Sequence, residues 1–287
     1  MLQRLRRILE SAHLCCNRIR YYLFFKRTPL AGEYCNSKFI RMDKQPPSGK
    51  GNRPYLAIVR CGARHELVKD FSERNFDIAL NIYSAKEEAS WDEYEYVYTG
   101  GINKYRAAHE FITEELLDKY EGFIFLDDDL RINYSQLSLF LAYCTTNGFE
   151  LAQPSLTPDS SHCHAHLVNV SQHGWRPVQM VEIMCPYFSS SALREALFTF
   201  RLSYSSWGLD LIWPRLFSFA PVVVDEFPIA HLRPTGTGDF YRYLRSIGVS
   251  PRREMIQLRD IPAETLQTIK ARQQSNRCYG RINSRRL

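Results

Sequence analysis

This chain lacks several features, and each absence removes a class of protein. None of its eight cysteines (15, 16, 35, 61, 144, 163, 185 and 278) belongs to a CxxC pair. Cys61, Cys144 and Cys185 lie inside apolar runs, where a thiol behaves as a small hydrophobe. The expectation is a reducing compartment and no disulfide framework. No run approaches the ~18 apolar residues that span a bilayer, and the first residues lack the apolar centre of a secretory signal. These two absences point to a cytoplasmic protein. Basic charge is also missing from the middle of the chain. The formal net charge is +6, yet residues 1–30 and 270–287 carry +6 each, so residues 31–269 carry −6. A nucleic-acid-binding domain usually carries its positive patch on the folded surface, so nucleic acid is excluded as a partner.

What remains is a chain of 287 residues with 45% hydrophobic and 13% aromatic side chains, which suits one large globular unit or two small ones. Residues 1–50 read as a basic helical segment followed by a linker. Apolar residues at 2, 5, 8, 9, 12, 15, 16, 19 and 23 recur at helical spacing with arginines opposite. Such a helix docks on its own domain or a partner, or lies on an anionic membrane through residues 1–27. "QPPSGKGNRP" (45–54) has linker composition. Residues 51–270 form the expected folded domain, and 271–287 a basic tail.

Within the domain, strands and helices alternate. Expected strands are 55–61, 76–85, 94–101, 122–127, 180–189 and 220–232. Expected helices are 104–120, 135–148 (closed by Gly148) and 191–200. This pattern predicts an α/β fold with a mostly parallel sheet and helices on both faces. Ligands of such sheets bind beyond the carboxyl ends of the strands.

"GFIFLDDDLRI" (122–132) puts three carboxylates at one such end. Two like charges about 4 Å apart repel by roughly 4 kcal/mol at an effective dielectric near 20, so Asp127, Asp128 and Asp129 need compensation. A hard divalent cation, Arg or Lys side chains, or water at an exposed turn would each serve. A phosphatase of the haloacid-dehalogenase type also places an Asp pair after a strand, but uses Thr or Val where this chain has Leu130 and Arg131.

The strand "YEGFIFLDDDLRI", followed by "FELAQPSL" (149–156), "VEIMCPYFSSSALREAL" (181–197), "SSWGLDLIW" (205–213) and "VVVDEFPIAHLRPTG" (222–236), resembles in order and spacing the domain-of-unknown-function family labelled in plants "lysine-ketoglutarate reductase trans-splicing related". That family is grouped with GT-A glycosyltransferases, and the likeness covers roughly residues 54–237. It implies a Rossmann-like GT-A sheet, a nucleotide-sugar donor, a glycan or lipid-linked acceptor, and Mn²⁺ or Mg²⁺.

The resemblance also implies residue roles. Asp127 and Asp129 align with the outer positions of a DxD element that holds metal and donor. Asp128 takes the middle, on the donor side, and His231 matches a late metal ligand. Trp207 and Gly208 would contact the acceptor. Asp210 would be the general base for an inverting reaction, and Glu182 would bind the acceptor hydroxyl. Arg60 and Lys104 are weaker donor-side candidates. Each also has an ordinary reading: Asp210 as a helix-terminus acid, His231 as structural, and Arg60 and Lys104 as surface charge. "HCHAH" (162–166) would share one face on a strand but has no partner at zinc spacing, so an acceptor-side loop is expected there. Sugar-phosphate nucleotidyltransfer and an inactive nucleotide-sugar-binding relative remain alternatives. The first of these would want a Gly-rich loop after the first strand, which "RCGARHELVK" does not offer.

Overall fold

A computed structural model describes residues 53–62, 65–70, 73–83, 94–170 and 174–271. The expected N-terminal helix, the linker up to residue 52 and the tail from residue 272 lie outside these.

Among the described residues, ten strands make one sheet. They are β1 (Tyr55–Cys61), β2 (Leu67–Val68), β3 (Phe76–Ile82), β4 (Tyr96–Thr99), β5 (Gly122–Asp127), β6 (Leu130–Asn133), β7 (Leu151–Leu156), β8 (Trp175–Pro177), β9 (Tyr187–Ser189) and β10 (Val222–His231). The order is β2-β6-β10-β7-β9-β5-β1-β3-β4, with β8 paired to β10. β4, β3, β1 and β5 run parallel, as do β7 and β10. β9 runs antiparallel between β5 and β7. The α/β class with a mostly parallel core is the one expected. β1, β3 and β5 are buried almost throughout, which is why they read as continuous apolar runs instead of alternating ones. Gly122 is required where β5 meets β9, because a Cβ there would lie 2.5 Å from the Tyr187 ring.

Three elements differ from expectation. The helix over 104–120 is two helices, Lys104–Phe111 and Glu114–Lys119. Thr113 breaks the run because its hydroxyl accepts from Leu116 N and restarts a helix. Ile112 stays buried at the break, so the apolar stripe shows no interruption. The strand expected over 180–189 is reduced to β9. Proline at 186 cannot donate to a ladder; the Met184 and Pro186 carbonyls still accept from Asp127 N and Phe125 N, while Tyr105 Oη and Lys104 Nζ donate to the carbonyls of Ile183 and Met184. The 191–200 helix ends as a 3₁₀ turn after Ala196. By contrast, the Tyr134–Thr146 helix closes as expected, with Gly148 at φ +66°.

Candidate functional site at the carboxyl edge of the sheet

β5 ends at Asp127, and Asp128 and Asp129 form the two-residue turn into β6. β6 pairs antiparallel with the end of β10, Leu130 opposite His231, and Leu232 N donates to Asp129 O at 3.1 Å. The register of two strands that are distant in sequence thus sets His231 beside Asp129.

Side chains of the protein compensate the three acids. Lys104 Nζ lies 2.9 Å from Asp127 Oδ1 and also donates to Met184 O (2.9 Å) and Phe125 O (3.4 Å). Asp128 accepts from Tyr83 Oη (2.9 Å) and Gly62 N (3.3 Å) and pairs with the Arg233 guanidinium. Asp129 accepts from Arg233 Nε at 2.9 Å and faces His231 Nε2 at 3.3 Å. Burial raises the Asp129 pKa, but the hydrogen bonds and charges of His231 and Arg233 outweigh it and hold the carboxyl below its usual range. His231 is the mirror case: burial disfavours its charge, Asp129 favours it, and the net shift is upward. The other ring nitrogen, Nδ1, is tied to Ser161 O at 2.6 Å. A proton on Nδ1 leaves Nε2 as the nitrogen that faces Asp129.

A second group of acids is poor in partners. Glu182 is 8% exposed and Asp210 9%. Glu182 Oε2 is buried without a hydrogen-bond partner. Desolvation, followed by the charge of Asp210, pushes Glu182 up to about 7. Desolvation pushes Asp210 up to about 7, although it occupies the first turn of the short Leu209–Ile212 helix and accepts from Leu211 N. The helix-terminus reading of Asp210 thus describes its position, and its raised pKa leaves it able to take up a proton near neutral pH. Glu182 lies in the irregular segment before β9, not on a strand; its burial, not a strand face, removes it from water.

The turn carrying Trp207 and Gly208 is strained. Ser206 has φ +70° and is the one non-glycine residue with positive φ among those described; Gly208 has φ +88°. A Cβ at Gly208 would lie 2.9 Å from the Met255 backbone. Glu254 holds this turn, accepting from Ser203 Oγ (3.0 Å), Tyr204 N (2.9 Å) and Ser205 N (2.8 Å). Trp207 Nε1 donates to Tyr241 Oη at 3.2 Å.

The structure thus brings together Asp127, Asp128, Asp129 and His231, and places Glu182 within electrostatic reach of Asp210, Asp127 and His231. Arg60 and Lys104 have structural duties. Arg60 donates to Asn81 and to the carbonyls of Gly100, Gly101 and Ile102, and Lys104 is buried under Asp127. "HCHAH" is a loop ending in a 3₁₀ turn over Ala165–Leu167, not a strand. Among the described residues, no three His, Cys, Asp or Glu side chains are gathered to hold a metal ion. Asp129 and His231 still suit a cation that takes its remaining ligands from water and phosphate, as Mg²⁺ commonly does. Tyr83, Arg233, Glu254 and the Ser160–Ser161 loop were not picked out from the sequence.

The site is a carboxylate-rich edge of an α/β sheet. The chain belongs to the family described as "Protein of unknown function (DUF707)", which matches residues 56–218, more than half its length. That match carries neither an activity nor the plant label. No curated protein matches the chain. Among solved structures it is similar to S. aureus TarS residues 1–349, at 14% identity over 71% of this chain and 70% of that one, with TM-score 0.45. The same protein in complex with UDP-GlcNAc matches at 11% identity over 71% and 70%, TM-score 0.44. GalNAc-T7 with UDP, GalNAc and Mn²⁺ matches at 9% identity over 70% of this chain and 49% of that one, TM-score 0.44. At these identities the likeness extends to fold alone.

Proposed function

We propose that the chain is a GT-A-type glycosyltransferase that moves a sugar from a nucleotide-sugar donor to a glycan or lipid-linked acceptor. Residues 51–270 would be its catalytic domain. The observation that carries this reading is the orphaned Glu182 oxygen beside Asp210, on the same edge as the acid turn. A buried acid without a partner costs stability, and folds keep such groups where a ligand completes them. Asp129 and His231 are the residues that would hold Mn²⁺ or Mg²⁺, with Asp127 at the rim. Bound there, the cation supplies charge neutralisation for a departing diphosphate. Asp210, which burial pushes up to about 7, accepts the proton of the acceptor hydroxyl as it attacks and the diphosphate departs. Glu182 orients that hydroxyl, and Trp207 and Gly208 border the acceptor. A single displacement of this kind inverts the anomeric carbon.

Residues 1–27, outside the described part, would rest the enzyme on the cytoplasmic face of a membrane. Among the described residues, no helix is long and apolar enough to cross one.

The test is a screen of nucleotide sugars for thermal stabilisation that requires Mn²⁺ or Mg²⁺. A true donor at 100 times its dissociation constant adds about 2.7 kcal/mol. A panel in which no nucleotide sugar stabilises the protein with either metal would overturn the reading.

A further inference from the structure

Arg233 stands apart from the other cations at the carboxyl edge. Lys104 is enclosed, and Arg60 is held by backbone carbonyls. The Arg233 side chain is 57% exposed although it pairs with two carboxylates that are 11% and 12% exposed. It belongs to a segment, 232–238, that is exposed throughout. Gly236 and Gly238 in that segment have φ of +82° and +93°, with open space where a Cβ would stand. The Gly236 backbone is hydrogen-bonded to Tyr241, so it is the exposed Arg233 side chain that has room to turn.

Neither acid depends on Arg233 alone. Asp128 keeps the Tyr83 hydroxyl and the Gly62 amide without it, and Asp129 keeps His231. The Arg233 contact also falls on the Asp129 oxygen that His231 faces, Oδ2. A divalent cation between Asp129 and His231 would meet the guanidinium on the same oxygen. Two cations cannot share it without strong repulsion, since a contact of this length has little water to screen it. A released guanidinium beside a phosphate-bearing ligand has an obvious partner, because its planar fork matches phosphate oxygens in pairs.

We propose that Arg233 is an exchangeable counter-ion: it neutralises Asp128 and Asp129 while no ligand is bound, and passes to the donor diphosphate when a divalent cation takes its place on Asp129. This rests on the reading of the site given above. The residue has opposite effects on the two ligands. It competes with the metal and assists the nucleotide.

The test uses the full chain, Arg233→Ala and Arg233→Lys in calorimetry. Mn²⁺ is titrated alone, then UDP, GDP, ADP and CDP in turn with saturating Mn²⁺. Arg233→Ala should bind Mn²⁺ alone about tenfold more tightly and the preferred nucleoside diphosphate about tenfold more weakly, the size of one charge-assisted contact. Arg233→Lys, which keeps charge but loses the fork, should fall between. If the wild-type protein binds a nucleoside diphosphate with Mn²⁺ but Arg233→Ala leaves Mn²⁺ affinity unchanged or weaker, the exchange is overturned while the proposed function stands. If the wild-type protein binds no nucleoside diphosphate with Mn²⁺, both fall together.

Discussion

The two edges of the sheet treat buried charge in opposite ways. At the amino edge of β1, β3, β4 and β5, acids and bases satisfy one another. Arg53 reaches Asp77 (2.9 Å) and Glu95 (2.7 Å), and Arg74 reaches Glu95 (2.7 Å). Glu95 also accepts from Ile78 N, and Asp77 from the Tyr120 hydroxyl and Lys119. At the carboxyl edge, five acids gather within a smaller set of cations, and one oxygen of Glu182 has no partner. The comparison separates charge that holds the fold from charge that awaits something. At the carboxyl edge burial pushes two carboxyls up, Glu182 to about 7 and Asp210 to about 7.

Substitutions can break this comparison. The largest effect is expected at Asp210. Asp210→Asn should cut donor turnover, by transfer or hydrolysis, by roughly 10²–10⁴-fold while leaving donor affinity nearly unchanged. Steady-state kinetics and calorimetry read the two quantities separately, and near-normal turnover would return Asp210 to the role of a helix-terminus acid.

Asp77→Asn, at the other edge, should cost about 1–3 kcal/mol of folding stability, because it weakens the contacts of Arg53, Lys119 and the Tyr120 hydroxyl while Arg53 keeps Glu95. Nucleotide binding by the surviving folded protein should not change. Urea unfolding checks the first claim and calorimetry the second.

Glu182→Gln should do the reverse of Asp77→Asn. The folded-state pKa of Glu182 lies above its unfolded value, so the folded form holds more protons between about pH 4.5 and 7. Stability from this group is therefore present at low pH and falls as pH rises through that window. At pH 8 the glutamine variant should be more stable than wild type by on the order of 1–2 kcal/mol, with the gap closing near pH 4. A constant gap across pH would show that Glu182 is not held against its charge.

The smallest effect is expected at Glu254. Glu254→Gln keeps the shape but weakens three bonds to the Ser203–Ser205 turn. On the proposed roles, turnover should fall about tenfold with donor affinity unchanged, since the turn leads into the helix that carries Asp210. Equal losses in both would make Glu254 a general stability residue.

Much of this could be read from the sequence, for identifiable reasons. Strands β1, β3, β5 and β10 are buried, so their apolar runs announce them. The acid turn stands out because three aspartates follow such a run. Glu182 stands out because an acid sits among Met180, Val181 and Met184. The rest depends on long-range register. Arg233 reaches Asp128 across 105 positions and Glu254 reaches Ser203 across 51, and no local pattern encodes either contact. The break at Thr113 was hidden because Ile112 continues the apolar stripe. The segment over 180–186 is held partly by Lys104 and Tyr105, residues about 80 positions away, and no local pattern shows those contacts.

The central claim is that the carboxyl-edge acids form a metal-assisted nucleotide site. Calorimetry of Asp129→Ala against nucleoside diphosphates with and without Mn²⁺ tests it most directly. The account predicts that the wild-type protein binds one of them only when Mn²⁺ is present, and that Asp129→Ala stays folded but loses this metal-dependent binding. Unchanged, metal-dependent affinity in Asp129→Ala would contradict it.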